Sequence, residues 1–582
     1  MQYIHTLRRF VLVTLSLLSA CAAADRSSRA DTGQPAHPRM PVTGVASAYL
    51  SGRFAAMQND LEYASDQFLR ALAADPDNPD LQQQAFLTTL LAGRPEALRL
   101  ARLQPQNQAA QLLLADTDAA DGNWDQAEAL YAALPRQGLT QVLQPLLVAW
   151  AQQGGGHTDT ALATLHPFVE GSRFRAIYAL HAAMIADLAK RNAEAARLFR
   201  LAQTDIGGPN LELARVVASW QSRQGFPADA AQTLSALADA DADFAIALPA
   251  LQASAGAVQI HRATDGIAEA YLALAAALST QDASDFSVVL VQLALDLRPD
   301  LTPARLLAAD IMESHKQTAA ALRVLAPVAA DDPLAAVVRL RRAGLLDQQG
   351  ATEEALHLLD GLIHDFPDRP EPLAMQGDIL RNEHRFADSV AAYDRAVALL
   401  PHPSRVNWPL FYDRGMALER AHNWPRAESD FQKALELAPN QPFVLNYLGY
   451  SWTEQGRNLP RARQMIQQAL DQRPNDGAIV DSMGWLQLRQ GDIAGAVKTL
   501  ERAVELEPED STINEHLGDA YAAAGRKLEA QYQWRLALNL KPEPDDVPKL
   551  QAKLREGDQA TGGSASAPTA AAPGKPVPLA NP

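Results

Sequence analysis

Chemistry in this chain has few places to start. Cys21 is the only cysteine among 582 residues. It closes the stretch LSLLSAC at 15–21, behind an apolar run at 10–18 and a basic start at 5–9 that holds Arg8 and Arg9. That run has the length of a secretory signal and is too short to cross a bilayer as a helix. Elsewhere the residue types that catalyse are scattered. The 13 histidines form no HExxH pair, one cysteine allows no CxxC, and no Walker loop is present. QGGGHTD at 153–159 falls between two helical patterns, where glycine serves a turn and not a phosphate. Asp481, beside Ser482, lies in the first turn of a predicted helix, where an acid suits the dipole. Glu515 and His516 read as a pair on a helix surface. The chain is therefore expected to bind and not to be an enzyme, with no cofactor and no metal.

The residues around Cys21 resemble the lipobox of bacterial lipoproteins. The resemblance implies that residues 1–20 are a signal peptide, removed in the mature protein. Cys21 then becomes the N-terminus and carries lipid chains, and 21–44 form a flexible tether. More than one acyl chain is what holds a protein stably on a bilayer. Ala22 stands where lipoproteins retained at the inner membrane commonly carry Asp, so the implied place is the periplasmic face of the outer membrane. Loss of 1–20 removes Arg8 and Arg9 and no acid, so the formal net charge of −17 becomes −19. Nucleic acid is a poor partner for such a chain, because phosphate binding needs clustered Lys and Arg. Electrostatic attraction to anionic lipid is equally poor. With Cys21 acylated no thiol remains for a disulfide, and the fold must stand without one.

The elements that would position a binding site announce themselves by repetition. The chain is too long for one compact core. Alanine and leucine abound, aromatics make up only 6%, and strand-like alternation is rare, which favours helix. Gly415, Ala427, Ala434 and Pro439 are spaced 12, 7 and 5 apart, and Gly484, Ala496, Ala503 and Pro508 repeat that spacing, as do Gly518, Ala530, Ala537 and Pro542. Gly377, Ser389, Ala396 and Pro401 extend the register upstream. The period is 34, that of the tetratricopeptide repeat, a pair of antiparallel helices. Small residues let the two backbones cross closely, and the proline ends the second helix. The expected fold is all-α, a right-handed solenoid of two arrays joined by an irregular segment. Residues 45–238 hold about six degenerate repeats and 239–267 break register. Eight repeats occupy 268–544, a capping helix 545–556, and a tail poor in large apolar residues 557–582, expected to be disordered. Gln487 and Asn514 are departures, since large apolar residues are usual there.

In this repeat the first helices line the concave side. Their ninth position reads Met416, Tyr450, Trp485, Asp519, and their fifth reads Tyr412, Asn446, Asp481, Glu515. Tyr412, Met416, Tyr450, Asp481, Trp485, Glu515 and Asp519 are thus candidate partner-binding residues, an aromatic stripe bordered by acids. Rigid aromatics can anchor an extended peptide. The same rings could instead pack under the capping helix or against the other half of the solenoid. VLNYLGYSWTEQG at 444–456, DGAIVDSMGWLQLRQGD at 476–492 and INEHLGDAYAAAGRKLEAQYQW at 513–534, together with the lipobox, resemble bacterial outer-membrane tetratricopeptide lipoproteins. Some proteins of similar architecture are adaptors for periplasmic carboxyl-terminal processing proteases, which they dock while presenting substrates such as cell-wall hydrolases. The resemblance implies that role here. The alternative is a scaffold for envelope assembly or export, in polysaccharide secretion or a pilus secretin machine.

Overall fold

The structure is a computed structural model that describes residues 44–136, 138, 140–205, 210–279 and 284–561. Cys21, the signal segment, the tether up to residue 43 and residues 562–582 lie outside the described residues. Among the described residues there are 30 α-helices and no strand. The first twelve, from Val45–Met57 to Pro227–Ala240, form six successive pairs. Sixteen more, from Ala263–Ser279 to Lys527–Asn539, form eight pairs, and the helix Val547–Thr561 follows, running five residues into the expected tail.

The repeat skeleton acts as its chemistry requires. A Cβ on Gly415 would lie 2.6 Å from the Phe431 ring, and one on Gly518 would lie 2.5 Å from Trp534. Real Cβ contacts are never so short, so only glycine lets each large ring cross the partner helix. Ala427, Ala434, Ala496 and Ala503 are fully buried at the same crossings. Helix starts are fixed by acids: Asp476, Asp492 and Asp510 each accept a hydrogen bond from a backbone N–H three residues on. Asn514 is buried because its amide bonds the carbonyls of Pro508 and Asp510, 3.1 and 2.6 Å away. A polar residue at that apolar position therefore ties the helix to the preceding turn.

The stretch 239–267 is shorter in its irregularity than the register break suggests. It holds a 3-10 turn, Ala242–Ala247, and a short helix, Leu248–Ala253, and the next helix already begins at Ala263. Ten consecutive residues of that helix, 263–272, are buried. A helix buried all round has to lie inside something. It lies inside the first array. The Trp150 indole sits 2.2 Å from where a Gly266 Cβ would be, and the Tyr271 hydroxyl donates to Asp116, 2.7 Å away. One hydrophobic cluster accordingly joins residues from Ala48 to Val217 with residues from Ile260 to Ile311, while the helix Pro227–Ala240 and the connector pack into the core of the second array. The first pair of the second array is the plug of the first.

Candidate functional site

The first array is filled by the helix Ala263–Ser279, and a cavity opens along the second. The same repeat positions that run through Met416 and Tyr450 continue upstream. The fifth position gives Leu306, Leu340 and Ala374, and the ninth gives Asp310, Gly344 and Asp378. The helices Thr302–Ser314, Ala335–Gln348, Glu371–Asn382 and Trp408–Arg420 bring these residues to one cavity of about 590 Å³, closed on one side by the 3-10 turn. Leu306, Leu340 and Met375 give it an apolar floor, and Asp243, Asp310, Glu371, Asp378 and Asp413 stand in its walls. Arg341 and Arg369 are its cations.

Asp310 is paired with Arg341 at 2.5 Å, but the other acids are short of positive partners. Tyr393 donates to Asp378 at 2.5 Å, and Arg381 lies 3.6 Å from Asp378 and 3.7 Å from Asp413. One guanidinium is thus shared by two carboxyls at distances beyond a hydrogen bond. Burial, with the Asp378 charge adding to it, pushes the Asp413 carboxyl up to about 7 despite Arg381. Burial also raises Asp378, Asp310, Asp243 and Glu371. One oxygen of Glu371 is buried without a partner. An incoming ammonium or guanidinium would restore the charge these groups lose on burial.

Further along, the stripe is mostly engaged within the protein. Tyr412 packs among Trp408, Phe431 and Tyr447 with ring centres 5.7 to 6.0 Å apart, and Met416 borders that cluster. Tyr450 and Trp485 flank His516, Trp485 stacked on it at 4.1 Å and Tyr450 at 6.1 Å. The Trp485 indole donates to Glu454. His516 is no surface group, as its neighbour Glu515 suggested. It is buried, with Nδ1 2.9 and 3.1 Å from the two oxygens of buried Asp481. Burial opposes the imidazolium, but Asp481, with Asp519 and Glu454 behind it, outweighs burial and raises the group above its ordinary value. Asp481 is thus a partner to His516 and not the first-turn acid expected from the sequence: the helix starts at Gly477, Asp476 caps it, and its first turn holds no acid. Glu515 and Asp519 both accept from Lys553 of the helix Val547–Thr561, each at 2.7 Å, and Asp519 also accepts from Trp534. Just before that helix, Glu543 reaches back to Arg420 at 3.2 Å and to His384 at 4.0 Å. The chain's own C-terminal segment therefore bounds the groove beyond Trp408–Arg420.

Sequence reading started its ninth-position series at Met416 and so missed Asp378 and Asp310. Three more steps upstream, across the four extra residues 404–407 and through Gly344, reach them. Asp243, from the connector, and Asp413, one residue past the fifth position, carry no such signal. Among the described residues no group of three or more His, Cys, Asp or Glu side chains is arranged to hold a metal ion, and no helix is long and apolar enough to cross a membrane.

Comparison with known proteins gives three family matches. Residues 257–407 match a tetratricopeptide repeat-like domain, and 408–441 and 482–538 match tetratricopeptide repeats. Human tetratricopeptide repeat protein 13 is 32% identical over 115 residues, which is 20% of this chain, and the match spans 13% of that relative's length. Among solved structures, a tetratricopeptide repeat protein from Parabacteroides merdae is 15% identical, covering 43% of this chain and 97% of its own, with a TM-score of 0.35. The Cut9–Hcn1 hetero-tetramer of the APC/C is 14% identical over 88% of this chain and 96% of its own, with a TM-score of 0.39. Yeast Tom70 is 12% identical over 78% of this chain and 96% of its own, with a TM-score of 0.34. Residues 257–441 and 482–538 are thus matched by tetratricopeptide-repeat models, and the spacing of small residues and the stacked helix pairs give the described residues the solenoid architecture of that repeat.

Proposed function

We propose that the chain is a protein-binding scaffold whose second array holds an extended, lysine- or arginine-bearing segment of a partner. The observation that carries this is the groove of Glu371, Asp378 and Asp413 over an apolar floor, with too few cations of its own once Arg341 is paired with Asp310. The floor takes the aliphatic stems of such side chains while the walls take their charges. Charge of this kind fixes register and speeds encounter. The finer reading is an adaptor anchored through Cys21 at the periplasmic face of the outer membrane, docking a carboxyl-terminal processing protease and presenting cell-wall hydrolases to it. The lipobox and the resemblance of 444–534 to outer-membrane tetratricopeptide lipoproteins support that part.

A photo-crosslinking residue in place of Met375 in the full chain, followed by identification of what it captures, tests the proposal. A processing protease or its hydrolase substrate supports the adaptor; secretin or glycan-export subunits sink it. Asp378→Asn with Asp413→Asn should weaken the captured partner's binding at least tenfold, about 1.4 kcal/mol. Binding should also strengthen between pH 6 and pH 8, as Asp413 loses its proton near 7. A partner that binds the double variant normally and without pH dependence does not use this groove.

A further inference from the structure

The helix Val45–Met57 opens the solenoid. It turns Ala48, Gly52 and Ala55 inward, while Leu50, Phe54 and Met57 are 65%, 67% and 72% exposed. Steps of four and three residues put these three side chains in one stripe. The end of a solenoid needs cover. At the other end the helix Val547–Thr561 supplies it, with Leu550 fully buried. At this end residues 21–43 have only Met40 and Val42 as large apolar side chains, too little to cover the stripe.

We propose that the stripe docks on the membrane that holds Cys21, so that the first helix lies along the lipid–water interface. The proposal rests on the lipoprotein reading. Residues 21–43 end at this helix, and fully extended they reach roughly 80 Å at most. The stripe therefore never leaves the neighbourhood of the bilayer. A second copy is a poor cover: three side chains offer on the order of a few hundred Å², against about 800 Å² per partner in a standard interface. An interfacial helix needs only to sink its apolar face about 5–10 Å below the headgroups. Arg53 is the helix's only charged residue, Asp60 and Glu62 follow it, and the whole chain is acidic. Apolar burial must then drive docking, which should proceed on zwitterionic lipid and be nearly indifferent to salt.

The test uses the full chain with Cys21→Ser and Phe54→Cys, labelled at position 54 with a polarity-sensitive fluorophore. It is mixed with phosphatidylcholine vesicles bearing an acyl-chain quencher. The same label at Gln464→Cys, exposed on a distant helix, is the control. Whatever the apolar run at 10–18 does, the tether leaves position 54 free to stay in water. Docking gives a blue shift and quenching at 54, none at 464, and a loss of at least tenfold when Leu50→Ser and Met57→Ser are added. An unchanged signal at 54 on vesicles overturns the proposal. So does a shift that appears without lipid and grows with protein concentration, since a second copy would then be the cover. Fatty-acid labelling of Cys21 in the unaltered chain is a separate measurement, and its failure would end the lipoprotein reading by itself.

Discussion

His516 is a buried imidazole whose protonated form is favoured by its acidic neighbours in spite of burial. Its pKa is raised in the folded chain, so the Asp481–His516 pair contributes fully below the unfolded value, about 6.5, and fades as pH rises through the folded one. Asp481→Asn should therefore lower the melting temperature of the C-terminal pairs more at pH 6 than at pH 8.5, read by calorimetry. Equal losses at both pH values would mean that His516 is neutral throughout. Asp116 behaves in the opposite chemical sense but with the same sign. One of its oxygens accepts from both Tyr131 and Tyr271, at 2.5 and 2.7 Å, and the other is buried without a partner. Burial, with the Asp296 charge adding a little, pushes it up to about 7 in spite of the two tyrosines. Its contribution is greatest below about pH 4 and declines as pH rises to about 7. Asp116→Asn, which removes that titration, should flatten the pH dependence of melting of the first array between pH 5 and pH 8.

At the scale of the helix pair, stability depends on how closely two backbones approach. Ala503 is fully buried where the helices Gly477–Arg489 and Ile493–Leu506 cross. Ala503→Leu overpacks that crossing, and overpacking commonly costs about 1–3 kcal/mol. In an array built of nearest-neighbour interfaces the loss stays local, so the C-terminal half should melt early while the first array holds. A single unshifted transition would place Ala503 outside the crossing. Trp485 lies on the same first helix, half-buried against His516. Trp485→Ala removes a stacked contact of a kind worth roughly 0.5–1.5 kcal/mol beyond its buried area. It should therefore loosen the last two pairs as well as any surface used for binding, visible as faster amide exchange over 511–539.

The whole molecule holds together because one array swallows the start of the other. Trp150 both covers Gly266 and donates to His181 at 3.0 Å, and burial keeps that imidazole neutral, down to about 3. Gly266→Leu would drive a side chain into the Trp150 ring. The plug should lose its seat, the first array should melt separately, and limited proteolysis should open 254–262. A variant that resists protease as the parent does would show that the plug adapts. Glu543 ties the far end to Arg420 and His384 across more than a hundred residues of sequence. Glu543→Lys should free that segment and increase its amide exchange without changing the first array.

Sequence alone determined the repeat. Glycine, alanine and proline at fixed intervals record where backbones cross and where helices stop, and those are contacts between residues near in sequence. The helix pairs over 268–544 and the departure at Asn514 were legible for that reason, and the ninth-position series needed only three more steps, through Gly344, to yield Asp378 and Asp310. The plugging of the first array was not legible. Tyr271 meets Asp116 across 155 residues, and nothing in the local pattern of either helix encodes that meeting. The partner of His516 was missed likewise, since Asp481 lies one repeat away and the neighbour in sequence, Glu515, bonds Lys553 instead. Local packing is written in spacing, whereas the closing of one surface upon another depends on the accumulated geometry of many repeats, which only the folded chain fixes.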